Sequence, residues 1–352
     1  LRKKWNVADG LYNRPVILAG DVGGTKTLLG LFRQVGGKLR CVREDSLPSQ
    51  EFRSFEALVG EFLSGTKGKV DRCAVGVAGP VVAGRSHVVN LRWPVDARRL
   101  ARKLSTNAVG VINDLEATGW GIPLVPPRKL ASLTPGLRSL PGNAALIAAG
   151  TGLGMALLLW DGERWHPRAS EGGHQAFGPR DDVEIDLLKF LRRRHGRVSV
   201  ERAVSGPGLA AIYEFLIQAG RDKRSKRVGR RFAEADDPNA EIARAALAGD
   251  DAVAGKALDL FVSLYGAAAG DLALVAKATG GLYLGGGIAP KILPKLREGA
   301  FLDAFRDKGR LSPLLERIPV RVILEPRAAL LGAARYAATR TSTTRIDKTK
   351  GR

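Results

Sequence analysis

The sequence is poor in residues that bind transition metals or staple small secreted domains. It has two cysteines, Cys41 and Cys73, and four histidines, His87, His166, His174 and His195, among 352 residues. No two of them stand at metal-ligand spacing, which argues against a structural zinc site. Two cysteines make no disulfide framework, so a reducing, cytoplasmic setting is expected. The basic start LRKKWNVADGLYNRP is not followed by an apolar stretch of about 7–15 residues, so no secretory leader is expected. The pattern G-x-x-x-x-G-K-[ST] is missing, which removes the P-loop class of nucleotide sites. Charge is missing from one segment, 139–160, whose length approaches that of a membrane span. Pro141 near its start and Gly150, Gly152 and Gly154 in its middle oppose a helix. It reads as two buried strands joined by a glycine turn, and no membrane insertion is expected.

Acidic charge is also short: 35 Asp and Glu stand against 56 Lys and Arg, a formal net charge of +21. Residues 221–231 (RDKRSKRVGRR) carry a net +6 and the tail 340–352 a net +4. These read as a loop and a disordered tail, solvated and attractive to anionic ligands. With no recognition module visible, nucleic acid is disfavoured as a partner.

The remainder is the composition of a soluble globular protein, 45% hydrophobic and 26% charged, with 43 glycines. Its length allows two domains, with a cleft between them as the usual place for a ligand. Residues 15–21 (PVILAGD) read as a buried strand entering a tight turn, and 26–32 (KTLLGLF) as the returning strand. The second half repeats this theme. ILAGDVGGTKTLLGLF and LIAAGTGLGMALLLW are each an apolar strand, a Gly/Thr turn and an apolar strand, as two similar domains would give. Further strands are expected at 70–77, 109–112, 281–284 and 320–324. Helices are expected at 50–63, after Asn113-Asp114, around 183–191, after the Ser205 cap, over 252–277 and over 328–338.

Three glycine turns are candidate phosphate and nucleotide contacts. In the first, Asp21-Val22-Gly23-Gly24-Thr25-Lys26, bare backbone can approach an anion and Thr25 adds a hydroxyl. Asp21, at a strand end, can hold Mg²⁺ directly or through water. The second contains Gly150, Thr151, Gly152 and Gly154. The third, Gly285-Gly286-Gly287, offers a surface for adenine or ribose. Asn113-Asp114 follows a strand, and a carboxylate there can take a hydroxyl proton during phosphoryl transfer, although either residue can also cap a helix. Glu171-Gly172-Gly173-His174 can grip vicinal hydroxyls, and Glu201 can complete the contacts.

Nine motifs occur in order: GDVGGTKT (20–27), AGPV (78–81), NLRWPVD (90–96), INDLEATGWGI (112–122), AAGTGLGMALL (148–158), EGGHQAFGP (171–179), ERAVSGPGLAAIYEFL (201–216), LGGGIAPKIL (284–293) and PRAALLGAA (326–334). With them the chain resembles the bacterial glucokinases of the hexokinase and actin-like ATPase superfamily. The related branch with a CxCGxxGC zinc motif is set aside, because no cysteine follows Cys73. The resemblance implies a two-domain α/β fold of the actin-like, ribonuclease H-like type with an interdomain cleft. It implies an extension at 1–14, a small domain at 15–113 plus 325–339, a large domain at 114–324, and a tail at 340–352. It implies ATP-dependent phosphorylation of the 6-hydroxyl of glucose, with Asp114 as general base and sugar contacts from Asn113, Asp114, Glu171, His174 and Glu201. ATP, Mg²⁺ near Asp21 and a homodimer are implied as well. A kinase for another hexose or an N-acylhexosamine, and a non-catalytic sugar-sensing regulator, stay open at this point.

Overall fold

The computed structural model describes residues 15–340 apart from 67, 89–90, 221–230, 233 and 236. The expected N-terminal extension, nearly all of the basic run at 221–231 and the tail beyond Arg340 lie outside the described residues. The chain forms two compact units, Leu1–Val125 with Glu325–Arg352, and Pro126–Leu324.

The first unit is built on strands β1 (Val16–Val22), β2 (Lys26–Val35), β3 (Lys38–Pro48), β4 (Arg72–Val77) and β7 (Val109–Asn113), in the order β3-β2-β1-β4-β7. β1 is antiparallel to β2 and parallel to β4, which is parallel to β7. A small ribbon of β5 (Arg85–His87) and β6 (Pro94–Asp96) stands apart from this sheet. Strand alternation sends β1 side chains to two faces, and both are covered. Leu18 and Val22 pack with helices α1 (Phe55–Leu63) and α2 (Ala97–Leu104) through Leu58, Phe62 and Leu100. Ile17 and Ala19 pack with Leu330, Ala333 and Ala337 of the closing helix Ala328–Thr339.

That closing helix crosses α3 (Asp114–Gly121) at backbone contact. A Cβ on Gly332 would sit 1.7 Å from the Ala117 carbonyl oxygen, and one on Gly121 would sit 2.0 Å from that of Ala328. The glycines on both helices make the crossing, and they tie α3 to the first unit. The unit therefore runs to Val125, past the 113/114 boundary expected from sequence.

In the second unit the sheet order is β11-β10-β9-β12-β13-β8. Its strands are β8 (Leu130–Ser132), β9 (Ala144–Ala149), β10 (Leu153–Trp160), β11 (Trp165–Ser170), β12 (Gly281–Gly285) and β13 (Val320–Ile323). Two antiparallel pairs lead into β9, which runs parallel to β12, and β12 runs parallel to β13. The first sheet has the same plan, with β8 added here at one edge. The sequence repeat is thus β1–turn–β2 against β9–turn–β10. The charge-free segment 139–160 contains the β9–β10 hairpin.

Helices α4 (Asp182–His195), α5 (Gly206–Gln218), α6 (Pro238–Leu247), α7 (Ala252–Ala276) and α8 (Ala300–Arg306) belong to this unit. By length and composition α7 could cross a membrane, but most of it is buried within the unit. Phe261 and Tyr265 lie in the core, and Gly266 and Gly270 meet the carbonyls of Phe301 and Phe305 on α8. Core packing accounts for the apolar composition of α7.

Candidate active site

In the first unit, the predicted residues gather where the parallel strands β1, β4 and β7 end. Asp21 is next to last in β1, and Gly23, Gly24 and Thr25 form the turn to β2. The turn closes with a Gly23 N–H bond to the Lys26 carbonyl at 3.1 Å. Its own carbonyls are held from the segment after β3. The Ser49 hydroxyl donates to Gly23 at 2.8 Å, the Ser49 N–H to Thr25 at 2.9 Å, and the Gln50 amide to Gly24 at 3.4 Å. Thr25 and Lys26 are exposed. Nothing in the sequence near Ser49 and Gln50 marks them as supports of a turn about 25 residues away.

Asn113 ends β7 and caps α3. Its Oδ1 accepts from the N–H groups of Leu115 at 2.9 Å and Glu116 at 3.4 Å, while its amide donates to the Gly79 carbonyl at 3.2 Å. Both ends of this side chain serve the fold, tying the AGPV loop to the helix start. Asp114 is the first residue of α3 and half-exposed, with Oδ1 accepting from its neighbour Leu115 N–H at 2.9 Å. Between the two alternative caps, the structure chooses Asn113. Asp114 and Asp21 repel one another electrostatically. Burial first, and then the charge of Asp114, push Asp21 up to about 6, against a smaller opposite pull from Lys26.

In the second unit, three glycine features meet at the end of β9. The turn Gly150-Thr151-Gly152 closes with a Gly150 N–H bond to Gly152 at 2.8 Å. The first residue of α5, Gly206, donates its N–H to the Gly150 carbonyl at 2.8 Å, so the N-terminus of a 13-residue helix abuts the turn. Such a terminus favours anions. Gly286, at φ +77°, approaches the Ala149 carbonyl so closely that a Cβ would lie 2.4 Å from it. Two residues expected in turns lie in strands instead: Gly154 pairs with Ala148 inside β10, and Gly285 is buried as the last residue of β12. A glycine-rich run does not disclose where its turn ends.

These turns border a cavity of about 630 Å³, lined by Gly150, Thr151, Gly206, Gly287, Asn239, Arg244 and Lys291, among others. That is within the usual size range for a small-molecule site. Arg244 also pairs with Glu241 on its own helix, and Glu241 is held by Arg231. Asn239 and Arg244 on α6 carried no sequence signal. Lys291 stands four residues after Gly287 within the motif LGGGIAPKIL.

Glu171-Gly172-Gly173-His174 forms a single helical turn with Glu171 and His174 both exposed. The His174 N–H donates to the Glu171 carbonyl at 3.0 Å, and Arg197 donates to the His174 carbonyl at 2.8 Å. A Cβ on Gly173 would lie 2.0 Å from the Leu153 carbonyl oxygen, so this turn rests on the start of β10. Glu201 Oε2 accepts the Leu153 N–H at 2.8 Å. Within this unit the structure thus brings Glu201, the Glu171–His174 turn and the second glycine turn together around one residue, Leu153.

Both units share one plan, in which a glycine turn joins the first two strands of the common five, β1–β2 and β9–β10. With carboxylates beside strand ends and, in the second unit, a cavity of small-molecule size, this arrangement fits a sugar kinase of the actin-like ATPase fold. A family model described as Glucokinase matches residues 18–340, and the chain belongs to the glucokinase family. The glucokinase of Trichormus variabilis is 40% identical over 338 residues, covering 92% of this chain and 99% of that one. Among solved structures, a glucokinase from an Antarctic psychrotroph superposes with a TM-score of 0.80 at 30% identity, covering 92% of this chain and 98% of that one. A glucokinase from Balamuthia mandrillaris in complex with glucose gives 0.75 at 20% identity, covering 92% and 94%, and supports the fold.

Proposed function

We propose that this protein transfers the γ-phosphoryl group of ATP to the 6-hydroxyl of glucose. The observation that carries the mechanism is Asp114: a half-exposed carboxylate on the first residue of α3, directly after the parallel strand β7. It acts as general base on the attacking hydroxyl. Glu171, His174 and Glu201 hold sugar hydroxyls, carboxylates accepting and the imidazole donating or accepting. Asn113 contacts the sugar as well as capping α3. Backbone at Gly23, Gly24 and Thr25 and at Gly150, Thr151 and Gly152 contacts the ATP phosphates, with Lys26 adding charge, while the base and ribose occupy the cavity beside Gly286 and Gly287.

The site fits Mg²⁺. Asp21 is pushed up by burial and by the Asp114 charge, and a divalent cation would relieve that repulsion. Among the described residues no three His, Cys, Asp or Glu side chains form a metal cluster. This suits an ion held by one or two carboxylates and substrate phosphates. Asp21 would hold it, directly or through water, and it would neutralise charge on the phosphoryl oxygens.

The reading extends to a cytoplasmic homodimer. The shortage of disulfide chemistry supports the first, and membership of the family supports the second. Nucleic acid is not part of the reading. The test is ADP release from ATP across a panel of glucose, mannose, fructose and N-acetylglucosamine. Glucose should give the highest kcat/KM, and another sugar ranking first would overturn the assignment. Asp114→Ala should lower kcat by about 10²–10⁴ with an unchanged thermal melt. Near-normal turnover in that variant would remove Asp114 from its role.

A further inference from the structure

The sugar side and the donor side of the second unit share one residue. The Leu153 N–H is bound by Glu201 Oε2 at 2.8 Å, and the Leu153 carbonyl is the surface on which Gly173 rests. Leu153 directly follows the Gly150-Thr151-Gly152 turn, whose Gly150 and Thr151 line the cavity. The segment carrying Glu201 is further pinned to the sugar turn. Val200 N–H donates to the Gln175 carbonyl at 3.0 Å, and Ala176 bridges Ser199. Glu201 also presses on the donor turn directly, since a Cβ on Gly152 would lie 2.5 Å from Oε2 and meet no atom outside that carboxyl group. A carboxylate so placed cannot move toward a sugar hydroxyl without changing what it does to the donor turn.

We propose that Glu201 is a positioning residue that couples the two substrates: one oxygen sets the Gly150–Leu153 backbone for the ATP phosphates, and sugar binding fixes that oxygen in place. The inference rests on the sugar contact assigned to Glu201 in the proposed function. Coupling of this kind is reciprocal, so glucose should tighten the nucleotide by the factor by which the nucleotide tightens glucose. Gly152 offers an independent handle. Its φ lies outside the left-handed region that penalises side chains, and its added methyl would meet only Glu201.

The test is calorimetric titration of a β,γ-imido ATP analogue with Mg²⁺ into the full-length protein, with and without saturating glucose. In the wild type, glucose should lower the analogue Kd by about 5–50-fold, within the usual range of coupling between sites. Glu201→Ala and Gly152→Ala should each reduce this ratio to within about two-fold of unity. Glu201→Gln, whose amide oxygen can still accept from Leu153, should keep most of it. His174→Ala should raise the glucose KM and leave the ratio intact once glucose saturates. A wild-type ratio of one, or an unchanged ratio in both Gly152→Ala and Glu201→Ala, overturns the coupling. Should Glu201→Ala fail to fold, Gly152→Ala decides alone. ADP release by the wild type is scored separately. Coupling without phosphorylation of glucose would refute the assigned reaction only, and phosphorylation without coupling would refute this inference only.

Discussion

Asn113 and Asp114 compete for one helix end, and the division of labour between them matters to chemistry. Asn113 supplies the cap through the N–H groups of Leu115 and Glu116, and Asp114 Oδ1 accepts from Leu115 N–H as well. Replacing Asn113 by Ala removes the cap and the bond to Gly79. It should lower stability by about 1–2 kcal/mol in a denaturant melt. Asp21 pays for function in the opposite way. Its pKa is raised by burial and by Asp114 to about 6, above the usual value near 4. The folded state therefore binds a proton more tightly than the unfolded chain. The stabilising effect of the protonated form is present below about pH 4 and lost as pH rises through about 6. Asp21→Asn should then be more stable than wild type by about 1–3 kcal/mol at pH 7–8, measured without Mg²⁺ or nucleotide. The advantage should vanish near pH 4, and the same variant should lose most turnover. A wild type more stable than the variant at pH 8 would contradict the buried-charge account.

At the scale of elements, glycines separate into those that pack and those that merely fill. Gly332 meets a carbonyl oxygen on α3, and no rotamer change can relieve that contact. Overpacking costs typically about 1–3 kcal/mol and sometimes more, so Gly332→Ala should lower Tm by several degrees or prevent folding. Gly255, inside α7, has no atom within 4 Å of an added Cβ. Gly255→Ala should stabilise by about 0.5–1 kcal/mol through backbone entropy and helix propensity. Thermal melts of the pair check both signs. Such distinctions were not legible in the sequence, because composition does not say which glycine faces a neighbour. What was legible were elements with strong local signals: the β1–β2 and β9–β10 hairpins, bounded by Gly/Thr turns, and helices opened by Asn113 and Ser205. Elements with weak local signals are not legible in this way. β3 is a largely exposed, charged edge strand, as edge strands tend to be, and α2 shows only Leu100 and Leu104 as buried markers. The candidate site was legible as short motifs, because most of its proposed residues lie at strand ends or in turns. Its supports, Ser49, Asn239 and Leu153, were not, because their roles arise from contacts between distant parts of the chain.

For the whole molecule, a net charge of +21 acts on the two substrates unequally. Glucose is neutral, so its binding depends on hydrogen bonds in contact range. ATP with its Mg²⁺ remains anionic, and a protein field this positive raises its local concentration. Lys291 and Arg244 on the wall of the cavity add to that field at short range, the second partly offset by Glu241. Salt screens the long-range part, with a Debye length falling from about 30 Å at 0.01 M to about 8 Å at 0.15 M. The KM for MgATP should therefore rise about three- to ten-fold between about 20 and 300 mM NaCl, while the KM for glucose stays within about two-fold. Steady-state kinetics at several salt concentrations, with Mg²⁺ held in fixed excess, measure both. Parallel movement of the two constants would mean that salt acts on the fold and not on the donor. A flat MgATP constant would mean that the basic surface is irrelevant to catalysis and that its charge must be explained by some other anion.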